Sequence, residues 1–231
     1  MTKTQQPGIN LERKSLLRVR TLATLLVSLM SWGLCDAQDS WKLKTESGGI
    51  RIFMRSVPNT AVKALKVECS INAGLSQLVA VLLDLDACDE WVYKSKSNIL
   101  IKRVSPSELF YYSEVEVPWP AQNRDFIAHL IVHQNSKNKV VTVDAPCDPD
   151  MVPKKKDIVR IPRSSGRWTI SPAGKNQLFI EYELSVDPGG SIPAWLINMF
   201  ATKGPLETFK KLKLQVQKPE YQKAHFDFIT D

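Results

Sequence analysis

DPGGSIPAWLINMFATKGPLETFKKLKLQV, residues 187–216, decides the fold. Pro188, Gly189 and Gly190 stop the strand before it, and Pro193 sits where a first helical turn tolerates a missing N–H. The spacing predicts a helix from there. On a helical wheel Ile192, Trp195, Leu196, Ile197, Met199 and Phe200 cover well over half the circumference, more than the roughly 100° stripe that packing on one sheet requires. That arc predicts an apolar contact on a second side, with Trp195, Met199 and Phe200 covering a cavity; the plainer alternative is an amphipathic helix closing a core. Gly204 and Pro205 interrupt the pattern, because proline removes a backbone donor and its ring meets the carbonyl four residues back. A kink is expected there. Beyond it Leu206, Phe209, Leu212 and Val216 share one face, with Lys210, Lys211 and Lys213 mostly toward water.

Working outward, QLFIEYELSV over 177–186 alternates cleanly. Leu178, Ile180, Tyr182, Leu184 and Val186 share one face and Phe179, Glu181, Glu183 and Ser185 the other, the habit of an antiparallel strand buried on one side. The same period appears in ELFYYSEVEV, where Leu109, Tyr111, Val115 and Val117 lie opposite Glu114 and Glu116. Residues 41–71 read as hairpin-connected strands turning at Gly48-Gly49 and Pro58-Asn59. A helix follows, with Ser76 as its expected cap, Leu75 as a staple and Leu78, Val79, Leu82 and Leu85 along one side. It ends among Asp84, Asp86, Asp89 and Glu90, carboxylates that oppose the helix dipole unless they find partners. The segments SNILIKRV, RDFIAHLIVH, KVVTVDA, DIVRI and GRWTISP complete a set of about nine strands, which with one internal and one terminal helix make an α+β arrangement. A strongly bent sheet wraps the terminal helix.

The most specific segment is VPWPAQNRDF, 117–126, a stiff two-proline loop that runs into a strand. Adjacent strand residues point to opposite faces, so Arg124 and Asp125 do not pair with each other. Arg124 falls with Phe126, Ala128, Leu130 and Val132; Asp125 falls with His129 and His133. A charge on the apolar face must be paired or reach the rim. It is either half of a structural ion pair or a group at a cavity mouth that meets a polar ligand head.

With these residues in hand, the sequence resembles the START family of StAR-related lipid-transfer domains. The resemblance rests on PWPAQNRDF at 118–126, RWTISP at 167–172, QLFIEYELSVDPGGSIPAWLIN at 177–198 and Trp91 after the internal helix, and it spans most of 41–216. It implies a helix-grip fold whose curved sheet and terminal helix enclose a tunnel for one lipid or sterol. It also implies that the 118–123 loop and the helix from Ile192 form a movable mouth. The expected ligand-binding residues are Tyr111, Trp119, Arg124, Phe126, Tyr182, Trp195, Met199 and Phe200. The chain departs from the family in two respects. It has no full helix before Trp41, and Leu130 stands where some sterol-binding relatives carry a buried arginine six residues after the motif arginine.

Residues 1–37 read as a signal peptide for a periplasmic or secreted protein: Arg13, Lys14, Arg18 and Arg20 precede an apolar run from Leu22 to Met30, with cleavage near Ala37. That run is about half the length of a membrane-spanning helix. The lipid-binding domain is then 38–218, and 219–231 a polar, loosely held tail. Losing five basic and two acidic residues with the leader lowers the formal charge from +7 to +4. No basic stripe forms, which excludes a nucleic-acid partner. Lys154, Lys155 and Lys156 make a solvated loop or a transient contact with an anionic membrane surface. Cys69, Cys88 and Cys147 remain, with a Cys88–Cys147 bridge left open and no metal-ligand spacing. His129, His133 and His225 join no triad. The expectation is a monomeric carrier without cofactor or catalysis, which takes a lipid through burial worth roughly 10 kcal/mol for a dozen methylenes. The alternatives are a helix-grip enzyme of the cyclase or hydrolase type and an interaction module with a filled core.

Overall fold

Alternating side chains build ten strands in the computed structural model, which describes residues 40–57, 63–190 and 192–231 together with residue 2. The leader, the segment before residue 40, where the sequence predicts no full helix, and the Pro58-Asn59 turn lie outside the described residues. The strands are β1 (Lys42–Ser47), β2 (Ile50–Ser56), β3 (Lys63–Ile71), β4 (Ser95–Ser105), β5 (Glu108–Val115), β6 (Arg124–Gln134), β7 (Val141–Pro146), β8 (Val159–Arg160), β9 (Arg163–Pro172) and β10 (Leu178–Asp187). They form one sheet in the order β1-β2-β3-β10-β9-β7-β6-β5-β4. Every neighbour along that path is antiparallel; β8 alone pairs parallel, with the start of β6. Gly48 and Gly49 supply the left-handed φ of 60° and 68° that the β1–β2 turn requires. Register shifts at Ser95/Ser97, Leu100/Lys102 and Arg103/Ser105 mark bulges between β4 and β5, the device that bends a strand and increases its twist.

Between β3 and β4 lie α1 (Leu75–Leu83) and α2 (Cys88–Trp91). After β10 come α3 (Ala194–Asn198), a π turn (Met199–Lys203) and α4 (Gly204–Gln215). The expected interruption at Gly204-Pro205 is this π turn. Pro205 has no N–H and its ring would crowd a carbonyl in a regular helix; instead the Gly204 N–H bonds Met199 O, five residues back, and the helix continues. Phe209, Leu212 and Val216 of the last helical stretch join one core with Ile50, Ile52, Val67, Val143, Ile170 and Ile180 from the sheet.

Two local expectations are corrected. Ser76 does not cap α1: Gly74 is the N-cap, Ser76 is buried in the first turn, and its hydroxyl has no partner among the described residues. The orphan donors there are met by Gln77 Oε1, which accepts from Gly74 N–H at 3.2 Å, and by Asp231 Oδ1, which accepts from Ser76 N–H at 2.9 Å. Nor is the tail loosely held. Tyr221 and Ile229 are buried, Thr230 exchanges two hydrogen bonds with Gln134, and Lys139 Nζ donates to Asp231 O at 2.6 Å. Composition misses this because a few apolar anchors hold a mostly polar segment. Asp231→Ala is expected to cost about 1 kcal/mol, as loss of a helix cap does, read from the urea midpoint at unchanged slope.

Candidate functional site

The inner face of the sheet and α4 do not meet everywhere, and a cavity of about 240 Å³ remains between them. Tyr111 of β5, Phe126 and Leu130 of β6, Trp168 of β9 and Tyr182 of β10 form its sheet wall. Trp168 lies opposite Tyr182 in the β9–β10 register, and their rings approach to 4.4 Å between centroids. Phe209 rests on both, at 5.3 Å from Trp168 and 6.0 Å from Tyr182. Leu82 and Leu85 at the end of α1, with Cys88 and Trp91 of α2, form the floor. Phe200, Pro205 and Thr208 form the roof. Tyr93 closes the gap between roof and floor; it lies edge-on to Phe200 at 6.1 Å and so near Gly204 that an added Cβ would meet its ring at 3.2 Å. Glycine is what lets the ring seat there.

Polar groups in this wall are neutral. Ser113 donates to Asn98 Oδ1 at 2.9 Å, Asn98 donates to Ser95 Oγ at 2.8 Å, and Thr208 Oγ1 accepts from Tyr93 N–H at 3.0 Å. Burial pushes the Tyr111 and Tyr182 phenols far up, so both stay protonated donors. Cys88 is pushed up to about 12, first by burial and then by Asp84, Asp89 and Asp86, an inert thiol. Among the described residues no Asp, Glu, His, Lys or Arg lines the cavity, and no cluster could hold a metal ion. His129, stacked on Phe110 at 3.9 Å and 2.7 Å from Glu108 Oε1, does not line it.

Tyr111, Phe126, Tyr182 and Phe200 therefore stand where the sequence placed them, on the cavity wall. Trp119, Arg124, Trp195 and Met199 do not. Trp119 is 90% exposed at the tip of the proline loop, and Trp195 is 48% exposed. The wheel's apolar arc is wider than the cavity-facing side: across the π turn Phe200 and Pro205, five apart, both reach the cavity, while Trp195 and Met199 do not. The second apolar side expected for α3 is covered at Leu196 and Ala201 but open at Trp195 and Ile197.

Arg124 is buried but does not line the cavity: its Nη1 donates back to Gln122 O, Nε has no partner among the described residues, and burial lowers its pKa. The structural ion pair belongs to its neighbour. Asp125 faces Arg160 across the parallel β6–β8 pairing, with Nε–Oδ1 2.7 Å and Nη2–Oδ2 3.1 Å, both side chains at most 2% exposed. Arg160 also donates to the carbonyls of Pro149, Val152 and Pro153, which ties down the 148–157 loop. Two of the four acidic residues after α1 are partnered as well: Asp84 accepts from Tyr221 OH at 2.8 Å and Glu90 from Gln215 at 2.7 Å. Cys69, Cys88 and Cys147 are free, so the Cys88–Cys147 bridge does not form.

Trp91, Trp168, Leu130 and Phe209 line the cavity without having been singled out as ligand-binding. For Trp168 the signal was available, since RWTISP alternates beside Tyr182. Phe209 was legible only as core.

The chain was compared with known proteins. A family model described as START domain matches residues 30–221. The chain is 27% identical over 205 residues to an uncharacterized protein of Pseudomonas aeruginosa, covering 89% of this chain and 99% of that one. It is 28% identical over 172 residues to the phosphatidylcholine transfer protein of Bos taurus, covering 71% of this chain and 78% of that one. The crystal structure of a STAR-related lipid transfer protein fragment from Xanthomonas axonopodis superposes with a TM-score of 0.71 at 30% identity, covering 78% of this chain and 100% of that chain.

Proposed function

The chain belongs to the START domain family, and from that premise we propose that it is a monomeric carrier that encloses one hydrophobic ligand under α4 and passes it between membranes. The observation that carries this reading is the cavity itself, walled mostly by aromatic and aliphatic side chains, with no Asp, Glu, His, Lys or Arg among the described residues that line it. At about 30 Å³ for each water-sized group, 240 Å³ holds roughly eight of them, so burial contributes about 6 kcal/mol. That is less than a dozen methylenes would give, and still enough for exchange.

The proline loop at 118–123 and the α3 segment are the proposed mouth. Asn123 anchors the loop, accepting from Val117 N–H at 3.1 Å and donating to Glu114 at 2.8 Å. Beyond that anchor, exposed Trp119, Trp195 and Ile197 offer aromatic and aliphatic groups to a bilayer interface, with Lys154 and Lys156 exposed for anionic headgroups. Export through the leader would place the carrier in the periplasm or outside the cell.

Delipidated protein is expected to take labelled fatty acid, phospholipid or sterol from vesicles at one ligand per chain; uptake of none would remove the proposal. Trp119→Ala is expected to slow transfer severalfold while leaving occupancy at equilibrium unchanged, because the ring lies outside the cavity. Equal transfer rates would remove the loop from the mechanism.

A further inference from the structure

The cavity carries no charged side chain among the described residues that line it. Its sheet wall places two phenol groups, Tyr111 and Tyr182, where neither hydroxyl has a hydrogen-bond partner in the protein among the described residues, while Ser113, Asn98 and Thr208 already use theirs on one another or on the backbone. Neither oxygen is among the fully buried unpartnered polar atoms, so water can partner it in the open cavity, and a guest that displaces that water forfeits the bond. A guest that brings an oxygen acceptor restores it. On this ground, and resting on the carrier reading above, we infer that the cavity takes a compact neutral molecule whose uncharged oxygen, of the ester, ketone or ether class, accepts from Tyr111 and Tyr182. A charged head is excluded.

The exclusion follows from what the wall lacks. Among the described residues no arginine, lysine or histidine lines it to meet a phosphate or carboxylate, and no aspartate or glutamate to meet an ammonium. An ion carried in without a partner keeps the full desolvation cost. The floor is no kinder to anions: burial first, and then the negative charges of Asp84, Asp89 and Asp86, disfavour the charged form of the Cys88 thiol that lines it. Asp125 and Arg124, the charged residues just before the lining residue Phe126, do not line the cavity: Asp125 is paired with Arg160, and the Arg124 guanidinium donates to Gln122 O. Size argues the same way, since about 240 Å³ accommodates a single short chain or small ring system and not a two-chain phospholipid.

Three probes of matched length test the inference by calorimetric titration of the delipidated full chain: methyl octanoate, octanoate at pH 8 and octyltrimethylammonium. Methyl octanoate is expected to bind at least about tenfold more tightly than either ion, a lower bound set by the several-kcal/mol cost of burying an unpaired charge. Tyr111→Phe and Tyr182→Phe should each weaken methyl octanoate by about three- to tenfold, the worth of one hydrogen bond, and leave octane binding unchanged. Equal or tighter binding of either ion overturns the inference, and so does an unchanged methyl octanoate affinity in both variants. One-to-one uptake of dioleoylphosphatidylcholine from vesicles also overturns it while upholding the carrier reading. Failure of every probe and every vesicle lipid to bind removes the carrier reading itself.

Discussion

Asp125→Ala is expected to destabilise the protein by about 3–5 kcal/mol, the cost of leaving one member of a buried ion pair alone. Asp125 and Arg160 meet through two parallel hydrogen bonds with almost no access to solvent, so a lone guanidinium cannot recover its hydration. Replacing both partners with apolar residues, Asp125→Leu with Arg160→Met, is expected to restore only part of the loss. Arg160 also satisfies carbonyls of Pro149, Val152 and Pro153, and these would be orphaned in the double variant. Chemical denaturation of the wild type, the two single variants and the double variant gives the coupling directly. Single-variant losses below about 1 kcal/mol would mean that water reaches the pair.

Phe209→Ala carries the second large effect, about 3–5 kcal/mol. Its ring is fully buried and bridges Trp168 and Tyr182, so truncation removes the contact that joins α4 to the aromatic wall. The vacated space also merges with the existing cavity, since Phe209 lines it. The variant is therefore expected to be less stable and to favour longer guests, read as a rise in affinity from methyl octanoate to methyl decanoate that exceeds the wild-type rise. A smaller void after side-chain collapse would reduce both effects together.

The architecture was legible because it follows from period and punctuation. Alternation in QLFIEYELSV and ELFYYSEVEV put Tyr182 and Tyr111 on the inner face, and β10 and β5 carry them there. Opposite pointing of Arg124 and Asp125 was legible for the same reason. The partner of Asp125 was not: Arg160 lies 35 residues away on a two-residue strand, and parallel pairing across a long loop leaves no local trace. The cavity-facing side of the last helix was only half legible. A wheel with a fixed period cannot anticipate the π turn, where Gly204 N–H bonds Met199 O five residues back, and an apolar arc does not say which of its members meets the cavity: Phe200 does, and Trp195 stays half exposed. The tail was misread because its hold depends on Asp231 reaching α1, a contact 155 residues apart in sequence.

The account rests on the space beneath α4 accepting one apolar guest, and native mass spectrometry of protein purified without detergent tests that most directly, beside a Leu130→Trp variant that fills the inner wall. The wild type should carry a single small adduct that denaturation releases, and the folded variant should carry none. A wild type that flies only at its bare polypeptide mass and takes up no added lipid, or a variant that keeps the adduct, would contradict it.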